Sequence, residues 1–89
     1  MSEGRRINMT EEYISELKEL GLALKYARRN AGFSIRKLSS ECGVMPYQIC
    51  GIENGDIGTT IHTLHRIFKA LGTTMRKAYE NLEMEEECV

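Results

Sequence analysis

Cysteine pairs, proline and long apolar runs are all scarce in this 89-residue chain. The three cysteines, Cys42, Cys50 and Cys88, are odd in number and form no C-x-x-C pair. That argues against a disulfide framework and points to free thiols in a reducing compartment. A single proline, Pro46, and few β-branched alternations leave little from which to build a sheet. No apolar stretch approaches the roughly 20 residues of a membrane-spanning helix, and the N-terminus is charged instead of patterned as a signal peptide. No membrane association and a cytoplasmic location are therefore expected. No nucleophile–base–orienter set, phosphate-cradling glycine loop or, within the domain core, clustered carboxylate pair is present, so neither an enzyme nor a cofactor is expected. His62 and His65 stand one helical turn apart without a third ligand at usable spacing, and no metal is expected.

Hydrophobic residues at 42% and charged residues at 28% are ordinary for a folded soluble domain. The length leaves room for one such domain, since domains usually hold roughly 100–200 residues. Leu, Ile, Glu, Lys, Arg and Met favour helix, and the apolar spacing agrees. Residues 1–9 lack periodicity and read as a flexible arm in which Arg5 and Arg6 are within reach of phosphate. Thr10, followed by Glu11 and Glu12, reads as a helix start. Tyr13, Ile14, Leu17, Leu20, Leu24 and Ala27 then mark one face as far as Ala31-Gly32, as one long helix or two broken at Gly21. Ser34 caps a short helix with Ile35 and Leu38 inward, ending at Cys42-Gly43. Pro46 suits the first turn of the next helix, which runs through Ile49 and Ile52 to Asn54-Gly55. Thr60 opens a fourth, with Ile61, Leu64, Ile67, Phe68 and Leu71 apolar, and a last helical stretch from Thr74 or Met75 carries Ala78, Tyr79 and Leu82. Tyr79, Leu82 and Met84, or Tyr13, Ile14 and Leu17, offer an edge for a second subunit or pack on their own core.

Charge is segregated along the chain, and basic side chains are absent from its last ten residues. Residues 20–79 carry nine basic side chains against three acidic, residues 1–19 three against five, and residues 80–89 five acidic and none basic. The net charge of −1 hides a cationic middle between acidic ends, an arrangement that suits either a phosphate-facing body or plain solubilising surface.

Two short helices joined by a turn containing Gly43 are what a helix-turn-helix requires, the second helix being placed in the major groove of DNA. The run LGLALKYARRNAGFSIRKLSSECGVMPYQICGIENGDIGTTIHTLHRIFKALGTTM resembles the XRE-like family, the phage repressor and Cro type of helix-turn-helix domain. The resemblance is carried by Leu20-Gly21, Arg28 four residues before Gly32, Ser34, Leu38, Gly43-Val44, the I-x-x-I-E-N-G ending from Ile49 to Gly55, and Ala70-Leu71-Gly72. It implies an all-α, lambda-repressor-like bundle of about five helices with an N-terminal helical extension. The domain would occupy residues 10–79, with a family-like core over 20–75 and an acidic tail over 80–89.

The resemblance also implies roles. Arg28 and Glu53 match positions that pair as a structural salt bridge. Phosphate contacts fall on Ser34 with the amides of Ile35 and Arg36, on Arg36 and Lys37, and on Asn54. Base reading falls on Pro46, Tyr47, Gln48, Cys50 and Gly51, within a recognition helix over about 45–54. Gln48 is the one strong hydrogen-bonding reader in that set and pairs well with adenine, while Tyr47 suits phosphate or a thymine methyl. Gly51 offers no side chain and costs a helix about 1 kcal/mol, which points to close backbone approach to DNA or to relaxed demand for reading there. Met45 replaces the usual capping hydroxyl, Ile35 a glutamine, and Asp56 a lysine or arginine of the family.

The expected function is a sequence-specific regulator of transcription that binds double-stranded DNA as a homodimer, with half-sites about 34 Å apart or a multiple of that. The alternative is a protein-interaction module, such as an antitoxin or an anti-regulator, that uses the same fold as scaffold and meets a protein partner.

Overall fold

Three of the helices begin where a hydroxyl relieves the unpaired amides of a first turn. Ser34 Oγ accepts from the Lys37 amide at 3.0 Å, Thr60 Oγ1 from Thr63 at 3.1 Å, and Thr74 Oγ1 from Lys77 at 3.2 Å. A fourth start is made by Pro46, which needs no amide partner and follows an uncapping Met45. The computed structural model describes residues 2–87, with side chains over 11–84. Its five helices are α1 (Ser2–Asn30), α2 (Ile35–Cys42), α3 (Pro46–Glu53), α4 (Ile61–Ala70) and α5 (Met75–Glu87), and no strand occurs among the described residues.

Helix α1 departs from the sequence reading at its start. The helix opens at Ser2 and not at Thr10, and the segment read as a flexible arm over 1–9 is helical backbone from Ser2 onwards. A capping hydroxyl has value only where an upstream chain turns away, and no proline or turn sequence precedes Thr10 to make it do so. Nor does α1 break at Gly21, so its 29 residues form one rod of about 44 Å. The side chains of Arg5 and Arg6, and Cys88, lie outside the described residues.

The core gathers Leu24 from α1, Leu38 from α2, Ile49 and Ile52 from α3, Ile67 from α4 and Leu82 from α5, each essentially without solvent contact. Val44 and Leu64 join them, while Ile35 and Leu71 are partly buried against the same cluster. Leu82 therefore belongs to the core of its own chain, although Met84, Tyr13 and Ile14 stay exposed. α1 packs on α3 and α5, and α2 packs on α3 and α4, so α3 is held by helices from two sides and keeps Pro46, Tyr47 and Cys50 exposed. No helix among the described residues is long and apolar enough to cross a membrane.

Burial of the Tyr79 ring, reinforced by Glu16 and Glu19 of α1, pushes its phenol above the ordinary value of 10.0. A group whose folded pKa is raised contributes stability that is full below its unfolded pKa and is lost as pH rises through the folded value. Melting temperature should therefore fall above about pH 10, and Tyr79→Phe should flatten that alkaline limb. Identical alkaline slopes for the two proteins in a thermal-melt series would assign the loss to another group.

Candidate nucleic-acid interface

The turn between α2 and α3 is built around Gly43, whose φ of 76° lies in the left-handed region that side chains disfavour. Its amide closes α2 on the Ser39 carbonyl at 2.8 Å. Arg66 of α4 reaches the same point and donates from Nη2 to the Cys42 carbonyl at 2.8 Å. A Cβ on residue 43 would come within 2.6 Å of that guanidinium nitrogen, so glycine supplies both the backbone conformation and the room for the clamp. Arg66 was not legible as part of the motif. It is one more basic residue on a helix whose capping target lies 24 residues away.

Helix α3 presents two different sides. Ile49, Ile52 and Glu53 are buried, Pro46, Tyr47 and Cys50 are exposed, and Gln48 and Gly51 are half-buried. Tyr47 stands out most, at 71% exposure. The five residues read as base contacts thus all reach the accessible part of α3, though the space beside Gly51 is not empty. Ile57 of the following loop lies against it, which gives the glycine an intramolecular reason beyond the two offered by the sequence.

At the start of α2, Ser34, Arg36 and Lys37 are exposed and Ile35 is half-buried. Ser34 Oγ already serves as the acceptor for Lys37, while the amides of Ile35 and Arg36, in the first turn, have no intrahelical partner and suit an anion. The Lys37 ammonium lies 4.9 Å from the centre of the Phe33 ring, a cation–π contact that steadies the charge at this corner. Asn54, also exposed, follows directly on α3.

Arg28 and Glu53 form a bidentate pair. Arg28 Nε donates to Glu53 Oε2 at 2.6 Å and Nη2 to Oε1 at 3.1 Å, with Nη1 donating to the Phe33 carbonyl at 2.9 Å. The two side chains are only 11% and 4% exposed. The hydrogen bond to Glu53 raises the Arg28 guanidinium further above its already high value. This pair ties the last turn of α1 to the last turn of α3.

A second tie between the same helices escaped the sequence reading. Gly21 is buried in α1, and a Cβ there would overlap the carbonyl oxygens of Ile52 and Glu53. The available signal was a glycine in the middle of an amphipathic helix, which reads equally as a break. Among the described residues, no group of three or more His, Cys, Asp or Glu side chains is placed to hold a metal ion.

No protein-family model matches the chain, and no curated protein matches it. Solved structures do. The clp gene regulator ClgR from Corynebacterium glutamicum superposes with a TM-score of 0.67 at 26% identity, covering 70% of this chain and 80% of that one. A second structure of ClgR gives 0.66 at 22% identity, covering 80% and 83%. The restriction-modification controller protein C.AhdI from Aeromonas hydrophila gives 0.68 at 22% identity, covering 72% of this chain and 97% of that one. The chain has the lambda-repressor-like fold of helix-turn-helix regulators, with α2 and α3 as the two helices of the motif.

Proposed function

We propose that this chain is an XRE-like transcriptional regulator that binds double-stranded DNA sequence-specifically, as a homodimer with one α3 in each of two major grooves. The observation that carries the reading is the outer side of α3. It is free of the protein's own core, adjoins α2, and offers Gln48 beside Tyr47 on a helix anchored from behind by Arg28–Glu53. ClgR is a gene regulator and C.AhdI a restriction-modification controller, and both support a regulatory role for this fold here. Such a role places the protein with the DNA in the cytoplasm and requires no catalytic group.

In this reading the amides of Ile35 and Arg36, with Ser34, Arg36, Lys37 and Asn54, grip phosphates and set the register of the complex. Pro46, Tyr47, Gln48, Cys50 and Gly51 face base edges, with the Gln48 amide placed to donate to N7 and accept from N6 of adenine. The family-like core of the binding unit is the segment 20–75; the stretch 80–89, read from the sequence as an acidic tail, instead continues α5 as far as Glu87 and gives Leu82 to the hydrophobic core.

Fluorescence anisotropy with a random duplex pool tests the reading. Affinity should fall with salt, log K declining by about 0.9 per phosphate neutralised for each unit of log salt. Absence of binding at low salt would dispose of the proposal. Gln48→Ala is expected to cost about 1–3 kcal/mol on the selected site and almost nothing on random DNA. Equal losses on the two duplexes would remove Gln48 from base reading.

A further inference from the structure

We propose that Ile57, in the loop after α3, supplies the side chain that Gly51 lacks on the reading side of α3, and that it packs against the C5-methyl of a thymine in the major groove. The inference rests on the regulator reading and names one of its specificity determinants. At roughly 100° per residue, Gly51 projects between Tyr47 and Gln48, on the side away from Ile49 and Ile52. A Cβ on Gly51 would meet Ile57 Cδ1 at 2.8 Å and Cγ1 at 2.9 Å. The isoleucine thus stands where the side chain of residue 51 would begin.

The loop is fastened in that position. The Asp56 amide donates to the Gly51 carbonyl at 2.9 Å, and the Ile57 amide reaches the same oxygen at 3.4 Å. Despite this packing, Ile57 remains 39% exposed. A glycine that gives up helix propensity only to admit a half-exposed isoleucine makes sense if the isoleucine's outer surface has something apolar to meet. Among the groups on major-groove base edges, the thymine methyl is the apolar one.

The test uses the full chain and the duplex that it selects from a random pool. Replacing thymine by deoxyuridine at the contacted position removes the methyl alone, and should weaken wild-type binding about fourfold, the worth of one buried methyl group. Ile57→Ala should bind the thymine and deoxyuridine duplexes equally, with Ile57→Val, which preserves packing on Gly51, falling between. If Ile57→Ala and Ile57→Val both retain the full wild-type preference, the methyl contact belongs to another residue and the inference is overturned while the regulator reading stands. A selected site without a thymine preference overturns it in the same way. Failure of the wild-type chain to bind any duplex at low salt removes the regulator reading and this inference with it.

Discussion

Glu53→Ala is expected to lower folding stability by about 3–5 kcal/mol, the largest effect of any single substitution considered for this chain. The loss is not the worth of an ion pair on a surface, which is commonly below about 1 kcal/mol. It arises because the Arg28 guanidinium, with only 11% of its side chain exposed, keeps its charge after losing the acceptors of Nε and Nη2. The Phe33 carbonyl still accepts from Nη1, and this places the expected loss toward the lower end of the range. Urea denaturation measures it as a shift in midpoint at unchanged slope. Replacing both partners, Arg28→Met with Glu53→Leu, should recover most of the loss, because no charge is then left stranded. A Glu53→Ala protein within about 0.5 kcal/mol of wild type, the range usual for surface changes, would show that the pair contributes as an exposed one does.

Gly21→Ala ranks next, and two opposed terms decide its sign. Alanine in a helix interior gains about 1 kcal/mol over glycine. Against this, the added methyl would overlap the Ile52 and Glu53 carbonyl oxygens, which are backbone and cannot swing aside as a side-chain tip does. Overpacking of this kind typically costs about 1–3 kcal/mol and occasionally more. Because backbone blocks the methyl at two carbonyls, the cost falls at the upper end of that range, and a net destabilisation of up to about 2 kcal/mol is expected, with α3 pushed away from α1. Because the displaced helix is the proposed reading helix, DNA affinity should fall even at temperatures where the variant is fully folded. A stabilised Gly21→Ala protein, judged by thermal melting, would mean that α1 and α3 do not approach this closely.

These two substitutions act on the same joint, and they differ in how readable they are. Arg28 and Glu53 are 25 residues apart, and only the resemblance to XRE-like domains pairs them, since spacing along separate helices carries no pairing information. The caps at Ser34 and Thr60 and the stop at Gly43 are different. Each depends on groups three or four residues away, and each is legible from residue type alone. The inward alternation of Ile49 and Ile52 is equally local, because one helical face needs no knowledge of what covers it. Leu82 shows the limit of that logic. Its spacing marks an apolar face, but whether α5 turns that face to its own core or to a second subunit depends on where α1 lies.

What the chain determined by itself was therefore the set of helices α2 to α5, the turn at Gly43 and the face of α3 that stays out of the core, because these follow from short-range hydrogen bonding and side-chain periodicity. The unbroken course of α1, the seat that Gly21 makes for α3, the hold of Arg66 on the Cys42 carbonyl and the lodging of Ile57 against Gly51 were decided only by the packed structure. Each depends on the distance between elements remote along the chain or on the path of a loop, and such distances are set by the joint packing of all five helices.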